Sequence, residues 1–425
     1  MIVTVTALGS RGDVQPFAAL AVALAGRGHE VRLVTHAQFE GLVAGRGVTL
    51  HPVTGNIQDD LDSEAGRRMF DEGASPVAVA GAMRDMVKRY ASEWALIGRE
   101  ASRGADVLVP GGGSALTATA VSEAWGIPYV AAYPQPLYPT SAFPSPLVPP
   151  PRRPLPGLAY KLQHHVLGQF FWQMMRPGTN LGRQAAFGLG PEPFFGPFGR
   201  MRREKRPILM CYSRHVVPVP TDWPNHVHVT GYWWLEEPSW TLPPELARFL
   251  ESGPPPVYVG FGSMKPRDPK ATTDLLLAAI GKAGCRAVLA SGWGGLGAAD
   301  LPDTVFPLAA APHGQLFPHM AAIVHHGGAG TTGATVRSGK PGVHVPFLAD
   351  QFFWAWRTGQ LGISGGSVPY RSLDADTLAA AIRRALDDQG IRARAAALGE
   401  KVRAEDGLGE AVRVVEAVAG ARRAA

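Results

Sequence analysis

Short apolar runs alternate along this chain with stretches whose apolar residues recur at helical spacing. Residues 2–8, 30–35, 106–110, 129–133 and 208–212 read as strands, and 257–261, 287–290, 322–325 and 343–346 form a second set. Runs this short, bounded by turn residues and rich in β-branched side chains, are the mark of strands buried on both faces. Helical periodicity follows most of them: 16–25, with Pro16 in its first turn and Gly26 near its end, then 272–282, 378–386 and 408–419. Strands alternating with helices predict parallel sheets covered on both faces. The expected class is therefore α/β, with two doubly wound, Rossmann-like domains facing across a cleft.

The two sets are separated by a stretch crowded with Pro and Trp, in which regular structure should stop. This gives an N-terminal domain over 1–220, a linker over 221–256, a C-terminal domain over 257–405 and a final helical segment over 406–425. A second Pro-rich stretch, 134–156, interrupts the first domain. It is too apolar and aromatic for a plain spacer, since it carries Tyr138, Phe143 and Leu147. No internal repeat of fixed period is evident.

Composition narrows the class. The chain has 425 residues, 46% hydrophobic and 18% charged, enough for about two cores and inconsistent with bulk disorder. No apolar run approaches the roughly 20 residues that span a bilayer. The apolar N-terminus has no basic leader and enters a Gly/Asp loop, so it reads as a first strand and not as a signal peptide. Two cysteines, Cys211 and Cys285, read as reduced core residues of a cytoplasmic protein. The net charge of +6 gathers partly at Arg152-Arg153 and within 200–206. Those clusters form a solvated face or touch anionic lipid headgroups at the membrane periphery. Aromatic interleaving is missing around them, which argues against nucleic acid.

The residues that follow each strand carry the chemistry, because ligands of such sheets bind beyond the carboxyl ends of the strands. After the first comes Gly9-Ser10-Arg11-Gly12-Asp13-Val14-Gln15-Pro16. Asp13 is either an N-cap of the helix or a carboxylate in the cleft that takes a proton from a hydroxyl. Val324-His325-His326-Gly327-Gly328-Ala329-Gly330-Thr331-Thr332 is the strongest motif. Its glycines let backbone N–H groups approach an anion, and a helix start adds its positive end. The Lys of a Walker loop is absent. A metal site built from His313, His319, His325, His326 and His344 is disfavoured, because the glycines would have no role in it and no carboxylate or thiol completes the set. Asp350-Gln351 offers a carboxylate and an amide to sugar hydroxyls, or else another helix cap. Gly262-Ser263 adds one hydroxyl on a flexible turn.

Together these segments resemble the UDP-sugar-dependent glycosyltransferases of the GT-B fold across essentially the whole chain. Similarity is greatest to sterol 3-beta-glucosyltransferases and their bacterial relatives, with glycopeptide-antibiotic glycosyltransferases close behind. The carrying residues are 9–16, 312–318, 325–332 and 350–354, and more loosely 141–146. The resemblance implies Asp13 as general base, beside Arg11 and Gly12. It implies a diphosphate held by His325 and the amides of Gly327, Gly328, Ala329, Gly330 and Thr331, with Ser263 opposite. Asp350 and Gln351 would grip the hexose. His313 lies in the stretch that would flank the base, and Trp293 is a base neighbour or a packing residue. Tyr138, Phe143 and Trp172 are expected at an apolar acceptor, and the final helix is expected to cross back to the first domain. No metal or cofactor is implied beyond a UDP-sugar co-substrate. Direct displacement would invert the anomeric centre, and the helix start is expected to lower the Asp13 pKa. The Asp-x-Asp matches at 60–62 and 374–376 read as accidental.

Two other readings stay open. A nucleotide-sugar epimerase of the same fold needs no acceptor, and a donor-only assay separates it. A binding protein would not need Asp13. Within the transferase reading, a dTDP-sugar is the alternative donor.

Overall fold

The computed structural model describes residues 1–55, 76–237, 240–262, 264, 268–292 and 301–424. The expectations for Ser263, Trp293 and the Asp60-Asp62 pair lie outside the described residues.

In the first domain β1 (Ile2–Thr6), β2 (Glu30–His36), β3 (Val48–Val53) and β4 (Val107–Pro110) form a parallel sheet in the order β3-β2-β1-β4. Bridges from Leu108 to Tyr129 and from Gly111 to Ala132 extend it to a second parallel group, β5 (Ala131–Tyr133), β6 (Ile208–Met210) and β7 (Val227–Val229). The second domain holds β8 (Val257–Gly260), β9 (Ala287–Ala290), β10 (Val305–Leu308), β11 (Ala322–His325), β12 (Gly342–His344) and β13 (Ser364–Ser367). All are parallel, in the order β10-β9-β8-β11-β12-β13. This is the doubly wound order whose direction reverses between its first and fourth strands, opening a crevice at their carboxyl ends.

Two stretches differ from the sequence pattern. The first helix is Arg11–Gly26, so Pro16 lies inside it, in the second turn. Ser10 is the cap residue and Asp13 the third helical position, a polar start stronger than the signal from proline. The stretch 221–256 is not a plain linker. It supplies β7 to the first sheet and the helix Pro244–Glu251, whose Leu246 is buried against Tyr258 and Phe317 of the second domain.

The final helix, Gly407–Ala424, lies on the first domain. Ala411, Val412, Val415 and Ala419 are buried in one core with Val3, Val5, Leu20 and Leu24. Its polar side is tied by Arg27 and His29 to Glu416, each at 2.9 Å, and by Arg423 to Asp106 at 2.7 Å. A second apolar contact joins the domains directly, with Phe143 against Phe353 and Tyr212 against Trp354, at 5.7 and 6.0 Å between ring centres. Among the described residues no helix is long and apolar enough to cross a membrane.

Candidate active site

Asp13 stands just beyond the carboxyl end of β1, half-buried at the first turn of its helix. The Ser10 amide and the Ser10 hydroxyl both donate to its Oδ2, each at 2.9 Å. Gly9 makes this possible: at φ +142 its backbone passes so close that a Cβ there would lie 2.6 Å from Asp13 Oδ2. The expected fall in the Asp13 pKa is not found. Burial within the cleft walls raises it, and the two bonds from Ser10 only partly oppose that. A carboxylate short of bulk water is the stronger base.

Across the cleft, β11 runs into the glycine loop and the helix Ala329–Arg337. That helix has no side-chain cap, and its first backbone bond runs from Thr332 to Gly328 at 2.9 Å. The amides of Ala329, Gly330 and Thr331 are thus left at the helix end, where a macrodipole favours an anion. Gly327 has φ +91, and a Cβ on it would meet the Gln351 carbonyl at 2.9 Å. This close approach brings the glycine loop and the Asp350-Gln351 pair into one site.

The imidazole of His325 does not reach that site. It is fully buried; its Nδ1 accepts the Gly327 amide at 3.1 Å, and its Nε2 faces Gly342 without a partner. Its role is to shape the loop from beneath. Alternation along the strand turns His326 the other way, against Gly262 and Gly328. Burial holds the pKa of both rings down, that of His326 to about 4, so both are neutral. Among the described residues no group of three or more His, Cys, Asp or Glu is arranged to hold a metal ion.

Asp350 follows β12. Burial raises its pKa to about 6; the Trp354 indole, donating to Oδ2 at 3.0 Å, opposes this, and the charge of Asp13 adds to it. Gln135, just past β5, also reaches its carboxylate. The residue before Asp350, Ala349, has φ +52, a conformation costly to a non-glycine residue. Gln351 is committed to the protein instead of the cleft. Its Oε1 accepts from Phe347 and Leu348 amides at 2.7 and 3.2 Å, and its Nε2 points to Met264 Sδ at 3.2 Å. His313 stacks on Phe317 at 4.4 Å between ring centres, with its pKa lowered to about 4 by burial and then by Arg11. Arg11, from the opposite domain, pairs with Glu237 at 3.1 Å.

The three expected acceptor residues are taken up in packing. Trp172 is fully buried and donates its indole N–H to the Phe194 carbonyl at 2.9 Å, so it presents no surface to a ligand. Phe143 is enclosed by Trp223, His164 and Phe353 as part of the domain contact. Tyr138 packs edge-on against Trp223 and His226 at the sheet margin. The sequence reading missed Gln135, Trp354 and Ser10 as partners of the two carboxylates. The position of Gln135 after a strand and the four-residue step from Asp350 to Trp354 were the available signals. Asp374 does cap a helix, accepting from the Thr377 amide at 2.8 Å.

Comparison with known proteins decides the family. A model described as the glycosyltransferase family 28 N-terminal domain matches residues 3–144, and one described as erythromycin biosynthesis protein CIII-like, C-terminal domain matches 275–418. A sterol 3-beta-glucosyltransferase of Arabidopsis thaliana is 34% identical over 96% of this chain and 67% of its own length. The chain belongs to this glycosyltransferase family. A sterol 3-beta-glucosyltransferase of Yarrowia lipolytica is likewise 34% identical over 98% of the chain, which spans only 28% of that longer protein. Among solved structures, the glycosyltransferase VinC in complex with DTDP superposes with a TM-score of 0.65 at 19% identity, covering 99% of this chain and 100% of that one. The glycosyltransferase SnogD from Streptomyces nogalater gives 0.64 at 20% identity, covering 99% of each. The glycosyltransferase family and the GT-B fold of two Rossmann-like domains are therefore one finding.

Proposed function

We propose that this glycosyltransferase transfers a hexose, glucose in the first instance, from UDP to a hydroxyl of an apolar acceptor such as a sterol or natural-product aglycone, with inversion and without a metal. One observation carries the reading. Asp13, a carboxylate made more basic by its surroundings, stands across the cleft from an uncapped helix start and from Asp350.

In the proposed step Asp13 accepts the acceptor's proton while its oxygen bonds to the anomeric carbon. The bond from that carbon to the diphosphate breaks, and the electron pair leaves with UDP. The amides of Ala329, Gly330 and Thr331 stabilise the departing charge through a fixed electrostatic field. They supply the positive potential that a metal provides in other transferases. Asp350 accepts hydrogen bonds from the hexose hydroxyls, and Arg11 lies beside His313 at the nucleotide end.

The name of the plant and fungal relatives supports a sterol and glucose, while the DTDP bound to VinC favours a thymidine nucleotide as second reading. The test is transfer from UDP-glucose and from dTDP-glucose, in EDTA, to a sterol, a macrolide and a flavonoid. A beta-glucoside whose formation falls about a thousandfold in Asp13→Asn, with nucleotide binding retained, is expected. Unchanged turnover in that variant would remove Asp13 as the base. Conversion of the donor without acceptor would favour an epimerase.

A further inference from the structure

The long helix Gly157–Phe187 has two faces of different use. Tyr160, His164, Trp172 and Met175 point inward and are buried. His164 Nε2 lies 3.2 Å from the Phe143 carbonyl, and Phe143 touches Phe353, three residues beyond Asp350. The helix therefore backs the wall beside the site. Its outer face is different. Leu158, Leu162, Val166 and Phe170 recur every four residues, so they share one side of the helix, and Leu158 is 79% exposed. Phe194 and Phe195, exposed at 55% and 74%, continue the stripe. They are held there by Gln169, Trp172 and Gln173, all of which donate to the Phe194 carbonyl.

Charge borders this stripe on two sides. Arg152 and Arg153 precede the helix and are exposed. Arg202 and Arg203, on the short helix Phe198–Glu204, are also exposed. Arg202 is close enough to His165 for its charge, after burial, to lower that imidazole's pKa. Among the described residues none of these four arginines has a carboxylate partner. The nearby acids are already engaged: Glu204 with Arg206, Asp222 with Lys161, and Glu192 with Arg183 and Arg200. Exposed apolar side chains rimmed by uncompensated arginines complement a layer that is anionic outside and hydrocarbon within.

We propose that the outer face of Gly157–Phe187, with Phe194 and Phe195, docks on an anionic lipid surface and holds the cleft beside the bilayer. The proposal stands on this surface alone and not on the transfer reaction, so a failed transfer assay leaves it untouched.

The test is co-sedimentation with vesicles of phosphatidylcholine alone and of phosphatidylcholine with about one quarter phosphatidylglycerol. Binding is expected to the anionic vesicles only, to weaken with salt, and to fall at least about tenfold in the triple variant Leu158→Ser, Leu162→Ser, Val166→Ser. Should that variant melt early, Arg152→Gln with Arg153→Gln and Arg202→Gln carries the test, with loss of the anionic preference expected. No binding to either vesicle by the unaltered chain would overturn the proposal. So would a lipid-free sedimentation mass that drops in the triple variant, since the stripe would then join copies of this chain or another protein.

Discussion

Asp13 and Asp350 belong to different domains, yet the charge of the first adds to the burial that raises the pKa of the second to about 6. Burial raises the Asp13 carboxyl as well, so the two carboxylates titrate as a pair. In the proposed transfer the first takes the acceptor's proton and the second holds hexose hydroxyls while ionised.

The efficiency kcat/KM should therefore fall as pH drops through about 6, where Asp350 takes up its proton. A raised carboxyl is ionised above its own pKa, so the loss lies on the acid side. Asp350→Asn should lower kcat/KM by about tenfold to a hundredfold, the worth of a hydrogen bond to a charged group, and flatten that limb. An unchanged acid limb in Asp350→Asn would assign it to Asp13.

Ala349 is strained immediately before Asp350. Ala349→Gly relieves about 1–2 kcal/mol of left-handed strain and returns roughly half of it as chain entropy. The melting temperature should rise slightly while kcat falls, because the backbone no longer fixes the carboxylate. Calorimetry with steady-state kinetics reads both. A gain in stability with full activity would show that the strain has no part in placing Asp350.

Gly327→Ala should cost about 1–3 kcal/mol, since φ +91 is unfavourable to alanine and its Cβ would meet the Gln351 carbonyl. The loop and the start of helix Gln351–Gln360 would separate. Nucleotide affinity, measured by titration calorimetry, should weaken more than stability does. Gly26→Ala, where a Cβ has nothing within 4 Å, is the control.

Acid should destabilise the fold through buried neutral histidines. His164 and His326 are held at about 4 and His344 at about 3, chiefly by burial, against an ordinary 6.5. The unfolded chain binds protons first, so stability is full above about 6.5 and falls toward 4. Each histidine contributes a slope of about 1.4 kcal/mol per pH unit. The raised Asp350 acts in the opposite sense below about 6 and offsets roughly one such histidine. Urea midpoints between about pH 7.5 and about pH 5 would read the net fall. A flat profile would contradict neutral burial.

Four strands escaped the hydrophobic pattern, and each lies at a sheet margin: β3, β7, β10 and β13. Central strands are covered on both faces and read as apolar runs. Margins tolerate Pro307 in β10, the polar alternation of β3, and the Ser-Gly-Gly-Ser of β13, which has no large side chain. The site was legible as a set of strand ends. Which way each side chain points was not, because adjacent residues such as His325 and His326 take opposite faces. Nor could composition tell the inward Trp172 from the outward Phe170 on one helix.

The helix Gly407–Ala424 also sets an order in time. Its apolar residues close a core that begins with β1, so the first domain emerges from the ribosome with a groove still open along Leu20 and Leu24. That domain is begun before the second and completed after it. A cut between the two sheets would not release two self-sufficient halves: the leading piece would keep an uncovered apolar trough, and the trailing piece would carry its missing wall.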